Sequence, residues 1–146
     1  MISAAAESNW PQWRGPEQDG QFTGPAWPEK VDSYHPQRTG RVELGPSYSG
    51  PIVEGDRLFT TGSKDKKFEV VTAFDRKMGK ELWRAQWVGV MTMPFFAKSN
   101  GGWIRAMPHF GFVCSPLVDG EFVCVQAGAN FVKLNKRTNT TSSVKQ

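Results

Sequence analysis

The chain has few of the residue types that most often build catalytic and metal centres. Its 146 residues include two cysteines and two histidines, and the histidines, His35 and His109, are isolated from each other. No histidine pair therefore stands at the spacing of a metal-binding motif. A glycine-rich phosphate loop and a nucleophile elbow are also missing. These absences argue against an enzyme, and we predict no catalytic, cofactor-binding or metal-binding residue and no cofactor.

Long apolar runs are missing as well. No stretch approaches the about 20 apolar residues of a membrane-spanning helix, so we predict no membrane span. No basic segment followed by an apolar core opens the chain, as it would in a secretory signal. Residues 3–8 nevertheless resemble the small-residue end of such a signal. A plain flexible N-terminus explains them equally well.

The two cysteines can be placed on a sheet if Asp119 and Gly120 form a two-residue hairpin turn. Ser115 would then lie opposite Cys124, which puts Cys114 on the other face because neighbouring side chains alternate. This register disfavours a disulfide, although a longer loop would change the parity. The two cysteines therefore favour neither an oxidising nor a reducing compartment.

The residues that are abundant point to β-structure. The sequence has 15 glycines, 10 prolines and 6 tryptophans, and its short apolar runs are separated by Gly, Pro, Asp or Asn. This pattern is typical of an all-β protein, and the length suits one domain. Most carboxylates stand beside glycine or at predicted turns, where they cap backbone amides. Those carboxylates are Asp19, Asp32, Asp56, Asp75, Asp119 and Glu121.

The net charge of +4 is spread over predicted turns and does not form one basic stripe. The densest cluster, residues 64–67, contains its own acid and fits a hairpin tip. We find no nucleic-acid-binding motif around it and predict no nucleic-acid partner.

The most informative segment runs from Val70 to Trp83. Its first residues are apolar or β-branched and predict a strand that ends at Asp75, a residue suited to bonding turn amides. Gly79 supplies a residue that tolerates positive φ, and Trp83 lies on the returning strand.

The same unit occurs twice. Residues 51–59 align with 116–124, and residues 71–77 align with 131–137. Beyond that point the second copy keeps a turn but has neither the glycine nor the tryptophan. A repeated four-strand unit of this kind is typical of a β-propeller blade.

Ala73, Asp75, Gly79, Lys80 and Trp83 form a pattern that resembles the tryptophan-docking repeat of pyrroloquinoline quinone (PQQ)-type propellers, with a methionine in place of the usual threonine. The opening residues 10–16, together with 19–20 and 24–28, are similar to the start of PQQ-like β-propeller repeat proteins, especially those of planctomycete-type bacteria. In that family the tryptophan stacks on a turn of the adjacent blade and pins the ring together. The resemblance therefore gives these five residues a structural role.

The resemblance implies an all-β, quinoprotein alcohol dehydrogenase-like fold: a partial β-propeller of about two to three four-stranded antiparallel blades. The expected divisions of this single domain (1–146) are an N-terminal segment 1–40, a blade 41–88, a long connection 89–111, a decayed blade 112–137 and a frayed tail 138–146. Closed propellers need about 4 to 8 blades, so this chain cannot close a ring alone. A periplasmic or secreted location is also implied by the family.

The expected function is a non-enzymatic scaffold or protein-interaction module, with protein partners or self-association through blade edges. The alternative is a truncated or multi-chain PQQ-dependent oxidoreductase, although relatives of that type bind quinone and calcium in a complete ring and often carry adjacent cysteines, which this chain lacks. A third possibility is a deletion remnant that associates through uncovered edges.

The long connection holds apolar side chains that suit either an interaction loop or an ordinary surface loop packed over a blade edge. The residues concerned are Met91, Met93, Phe95, Phe96 and Trp103.

Overall fold

The described residues fold entirely into antiparallel β-sheets and turns. The computed structural model describes residues 9–22, 40–47, 49–65, 67–88, 95–99, 102–106, 114–127 and 130–145. Ten strands and no helix occur within those ranges, which confirms the predicted all-β class. The strands are β1 (Ile52–Glu54), β2 (Arg57–Lys64), β3 (Phe68–Asp75), β4 (Glu81–Val88), β5 (Phe95–Ser99), β6 (Gly102–Ala106), β7 (Leu117–Asp119), β8 (Phe122–Ala127), β9 (Asn130–Asn135) and β10 (Thr141–Lys145).

The strands make two four-stranded sheets of the same topology. In the first sheet the order is β1-β2-β3-β4, and in the second sheet it is β7-β8-β9-β10, so each strand pairs with its neighbour in sequence. Strands β5 and β6 form a separate two-stranded hairpin. This hairpin lies within residues 89–111, the segment predicted as a long connection.

The first hairpin of each sheet, β1-β2 or β7-β8, closes on a two-residue turn that begins with glycine. Glu54 pairs with Arg57, and Gly55, the first turn residue, has a φ of 56°. Gly120 holds the equivalent place in the second sheet with a φ of 54°. Glycine adopts positive φ at little cost, so its position decides where each strand turns.

The predicted turn at Asp119 and Gly120 is wrong by one residue. Asp119 pairs with Phe122, so the turn consists of Gly120 and Glu121, and Asp119 is the last residue of β7. The reason is that the glycine takes the first of the two central positions, where the backbone has positive φ.

The corrected register changes the partner of Cys124 but leaves its parity unchanged. Cys124 lies opposite Leu117 and not opposite Ser115. Because Leu117 and Ser115 are two positions apart, they nominally share a face, and Cys114 still falls on the other one. Both cysteines are free, Cys114 exposed and Cys124 buried.

The last hairpins of the two sheets, β3-β4 and β9-β10, pair in the same register and share an irregularity. Trp83 pairs with Ala73 in the first sheet, and Ser143 pairs with Lys133 in the second. In both sheets the register shifts by one residue directly beside these pairs. The outer strand of each sheet therefore carries a β-bulge at the same place, although only the first sheet has the tryptophan.

The two sheets share one core and stack front to back. Phe59 pairs with Ala73, and Cys124 pairs with Lys133, so Phe59 and Cys124 hold equivalent positions of the repeat. Phe59 lies in the shared core, whereas the second sheet contributes Val123, the neighbour of Cys124 that faces the other way. The core consists of Ile52, Phe59, Val71, Ala73, Trp83, Val123, Val125, Val132 and Leu134. The core side of the first sheet is thus equivalent to the outward side of the second.

Candidate functional site

The turn of the predicted docking motif is held by the Asp75 side chain. Its Oδ1 atom accepts hydrogen bonds from the backbone amides of Lys77 at 2.9 Å and Met78 at 2.7 Å. The Gly79 amide donates to the Asp75 carbonyl at 2.9 Å, and the Asp75 amide donates to the Lys80 carbonyl at 2.8 Å. Gly79 has a φ of 65°, as the motif requires. A short acceptor at the first position and a glycine at the fifth therefore explain the turn.

The second sheet builds the same turn from different residues. Asn135 Oδ1 accepts from the amides of Arg137 at 2.9 Å and Thr138 at 3.1 Å. The Asn139 amide donates to the Asn135 carbonyl at 2.9 Å, and Asn139 has a φ of 58°. Asparagine tolerates this left-handed conformation better than most residues, so the second copy keeps the geometry of the turn without glycine.

Trp83 joins the first sheet to this second turn. Its indole Nε1–H donates to the carbonyl oxygen of Lys136 at 3.0 Å, and only 8% of the residue is exposed. The indole also contacts the Phe59 ring at a centroid distance of 5.9 Å and a tilt of 49°. A large apolar ring in the core with its one polar atom satisfied is a favourable arrangement for a buried tryptophan.

Lys136 receives several other contacts. Its carbonyl also accepts from Arg57 Nη1 at 3.2 Å, and its amide donates to the Glu121 carbonyl at 2.9 Å. The ammonium donates to the Gly120 carbonyl at 2.7 Å and lies 3.9 Å from the carboxylate of Glu54. Through Arg57 and Glu54, which belong to the first sheet, Lys136 connects the turns of both sheets.

Asn139 makes a further link between the sheets, beside their last strands β4 and β10. Its Nδ2 atom donates to the carbonyl of Arg84, on β4, at 3.2 Å. Beside it lies a cleft of about 430 Å³ between the outer strands. The cleft is lined by Ala85, Gln86, Trp87, Val88, Val132, Asn139 and Thr141.

A short N-terminal segment, which we call the clip, joins the edge strands β1 and β7, the inner edges of the two sheets. It consists of Asn9, Trp10 and Pro11. Trp10 forms an antiparallel bridge with Val53, with two backbone N···O distances of 2.7 and 2.9 Å. The Pro11 carbonyl accepts from the Val118 amide at 2.8 Å. Val53 and Val118 occupy equal places in the repeat, so one segment contacts the same position of both sheets.

Glu69 is a buried acid that the sequence reasoning missed. Only 3% of the residue is exposed, and its Oε2 atom has no hydrogen-bond partner among the described residues. Burial raises the pKa of the Glu69 carboxyl, while a hydrogen bond with the Trp87 side chain opposes that shift. Glu69 shares a face of β3 with Val71 and Ala73, and this period of two was the available signal.

Of the other carboxylates expected to cap backbone amides, Asp19 does so, whereas Asp56, Asp119 and Glu121 lie within ion-pair distance of basic side chains. Asp19 Oδ1 accepts from the Gln21 amide at 2.8 Å, and Asp119 lies 4.0 Å from the Lys133 ammonium. Within the part of the chain that the structure describes, no three His, Cys, Asp or Glu side chains come together as metal ligands would. Asp32, His35 and His109 lie outside the described residues.

The predicted interaction loop is only partly within the described residues. Phe95 and Phe96 belong to β5, and Trp103 belongs to β6, where it pairs with Lys98. Met91 and Met93 fall outside the described ranges. The loop therefore remains a prediction, while the five docking residues lie together in one turn and its two strands.

No protein-family model matches this chain, and no curated protein is significantly similar to it. Across the described ranges, no helix has the length and apolar character needed to cross a membrane.

Proposed function

We propose that the chain is a partial β-propeller of the PQQ-like repeat type and acts as a scaffold or protein-interaction module with no catalytic activity of its own. The supporting observation is the front-to-back stacking of two equivalent four-stranded sheets, latched by the Trp83 indole on the turn that carries Lys136. Stacked repeat units form extended surfaces that such proteins use for binding.

The outward face of the second sheet supports an interaction role. Leu117 is 39% exposed and Phe131 is 46% exposed, and both hold positions equivalent to core residues of the first sheet. Lys133 lies on the same face, 4.3 Å from the Phe122 ring centroid. Apolar side chains grouped around one cation form a surface suited to protein contact.

The described polar side chains of the two equivalent turns, one at Asp75 and one at Asn135, also favour a structural role. Asp75 and Asn135 cap turns, and the ammonium of Lys136 is paired with Glu54 and Glu121 at 3.9 and 3.8 Å. These groups are engaged in capping turns and in ion pairs, which leaves them poorly placed to transfer protons or bind substrate.

The test compares binding and activity directly. The purified chain is incubated with PQQ and calcium chloride, separated from free quinone by gel filtration, and assayed for bound quinone absorbance and for dye-linked oxidation of alcohols and sugars. The proposal expects neither retained quinone nor oxidation. Oxidation that depends on added PQQ would overturn it in favour of a quinoprotein oxidoreductase.

A further inference from the structure

The clip attaches the N-terminal segment to the rest of the chain mainly through backbone groups. Trp10 exchanges two hydrogen bonds with Val53, and Pro11 accepts one from Val118. The amide of Gly55 adds a fourth, donated to Asn9 Oδ1 at 2.8 Å. Bonds of this kind form wherever an extended segment meets an open strand edge, whichever chain the segment belongs to.

The segment that follows the clip is organised by its own contacts. The amides of Gly15 and Gly20 donate to the carbonyls of Gln12 and Arg14 at 3.1 and 2.9 Å, and Arg14 Nη2 donates to the Asp19 carbonyl at 3.1 Å. Gly15 has a φ of 81°, and a Cβ atom there would lie 2.8 Å from the Trp10 ring. The ring of Trp10 therefore rests on its own segment.

A gap separates this segment from the second sheet. A cleft of about 280 Å³ lies between residues 12–18 and residues 115–117. The hydrogen bonds found between the segment and the two sheets are thus concentrated at Asn9, Trp10 and Pro11. Pro11 has no N–H, so it accepts the bond from Val118 but cannot donate one back to the edge.

We infer that the inner edges of β1 and β7 form a strand-accepting site, and that the site also accepts the clip of a second copy of this chain. The occupant is specified by its chemistry: an extended segment with a side-chain amide oxygen at the first position, an indole at the second and a proline at the third. This inference rests on the proposed interaction role and names the partner as an identical chain that exchanges its N-terminal segment.

Sequence distance permits such an exchange. Asn9 and Gly55, which are hydrogen-bonded, lie 46 positions apart. Contacts between distant parts of one chain can be made equally well between two chains, which is the basis of domain swapping. A tethered segment has an effective concentration of about millimolar, so exchange in the unaltered chain requires a similarly high concentration. Weakening the chain's own clip lowers the concentration at which an unaltered clip, added as a separate peptide, can replace it.

The experiment uses the full chain and a fluorescein-labelled peptide of residues 7–20. The peptide is titrated into the unaltered chain and into the Trp10→Ala and Asn9→Ala chains, with fluorescence anisotropy as the readout. We expect both altered chains to bind the peptide at least about tenfold more tightly than the unaltered chain, because their own clip competes less well. The matched control is Met78→Ala, at a residue that is 71% exposed in the docking turn, and it should bind like the unaltered chain.

The peptide has its own control, in which Asn9 and Trp10 are both replaced by alanine. Equal binding of the two peptides, or no tighter binding by the Asn9→Ala chain with its circular dichroism intact, would overturn the inference. The second-copy arm measures light scattering of the unaltered chain up to about millimolar concentration. A dimer that disappears with excess peptide supports exchange, and a dimer unaffected by the peptide contradicts it. Neither result depends on quinone binding, so failure here is distinguishable from failure of the proposed function.

Discussion

The indole N–H of Trp83 donates a 3.0 Å hydrogen bond to the carbonyl of Lys136, a residue 53 positions later in the chain, in the turn between β9 and β10 of the other four-stranded sheet. This contact gives a physical meaning to the repeat. The first sheet contributes the ring, and the second sheet contributes the turn that receives it. The stability of the turn and the stability of the stack are consequently linked.

Replacing Trp83 should cost more than replacing any exposed tryptophan. Trp83→Ala removes a buried ring and should lower the free energy of unfolding by about 3–5 kcal/mol. Trp83→Phe keeps an aromatic ring but loses the bond to Lys136, and should cost less. Urea denaturation measures both. Trp13→Ala, at a residue that is 69% exposed, is the matched control and should stay within about 0.5 kcal/mol of the unaltered chain.

The docking turn should accept asparagine in place of its glycine. Gly79 has a φ of 65°, and a Cβ there would meet nothing within 4 Å, so the cost of any side chain is conformational. Gly79→Ala should destabilise by about 1–2 kcal/mol, whereas Gly79→Asn should cost less, as Asn139 occupies the equivalent position. Thermal unfolding compares the two. Gly40→Ala serves as the control because Gly40 has open space and no positive φ; an equal loss at both glycines would contradict this reasoning.

The conformational demand at Asn139 can be tested in the opposite direction. Asn139→Ala keeps the positive φ requirement and loses the bond to the Arg84 carbonyl, so it should destabilise by about 1–2 kcal/mol. Asn139→Gly loses the same bond but relaxes the backbone, and should be the more stable of the two variants. Chemical denaturation of both proteins gives the difference, and a more stable alanine variant would show that the turn does not need positive φ.

Glu69 should make stability fall as the pH rises. Burial raises the pKa of its carboxyl in the folded state, so between the ordinary glutamate pKa and this raised pKa the folded chain holds a proton that the unfolded chain has released. Below that range both states are protonated and Glu69→Gln should have little effect. The variant's advantage should grow as the pH rises and become constant above the raised pKa. Denaturant midpoints from pH 4 to pH 8 test this.

The control for Glu69 is the exposed Glu17, where replacement by glutamine should leave the free energy of unfolding within about 0.5 kcal/mol of the unaltered chain. A Glu69→Gln variant whose advantage is constant across the pH range would show that the carboxyl does not titrate differently in the folded state.

Local patterns in the sequence predicted the all-β class and the turn that begins at Asp75. The run ending at Asp75 and the glycine at 79 predicted the turn because both act within a few residues of themselves. The alignment of residues 71–77 with 131–137 likewise agrees with the equal hydrogen bonding of Asp75 and Asn135. The hairpin at Gly120 was misplaced because an acidic residue flanks that glycine on each side, and sequence alone did not decide which one belongs to the turn.

Contacts between distant residues were harder to predict. Nothing near Lys136 indicates that its carbonyl will accept an indole N–H, because the donor lies in another sheet. The bridge between Trp10 and Val53 likewise depends on how the two sheets stack. The burial of Glu69 is indicated only by the period of two along β3, which places it on the same face as Val71 and Ala73.

The hydrogen bond between Trp83 and Lys136 can be observed through hydrogen exchange of the Trp83 indole proton. This proton is assigned in a ¹⁵N-labelled sample by its loss in the Trp83→Phe variant. If the two sheets open only together, this proton should exchange as slowly as the core amides of Val71 in β3 and Val132 in β9. An indole proton that exchanges at the rate of a free side chain while those amides stay protected would contradict the account, because the sheets would then be stable without the contact between Trp83 and Lys136.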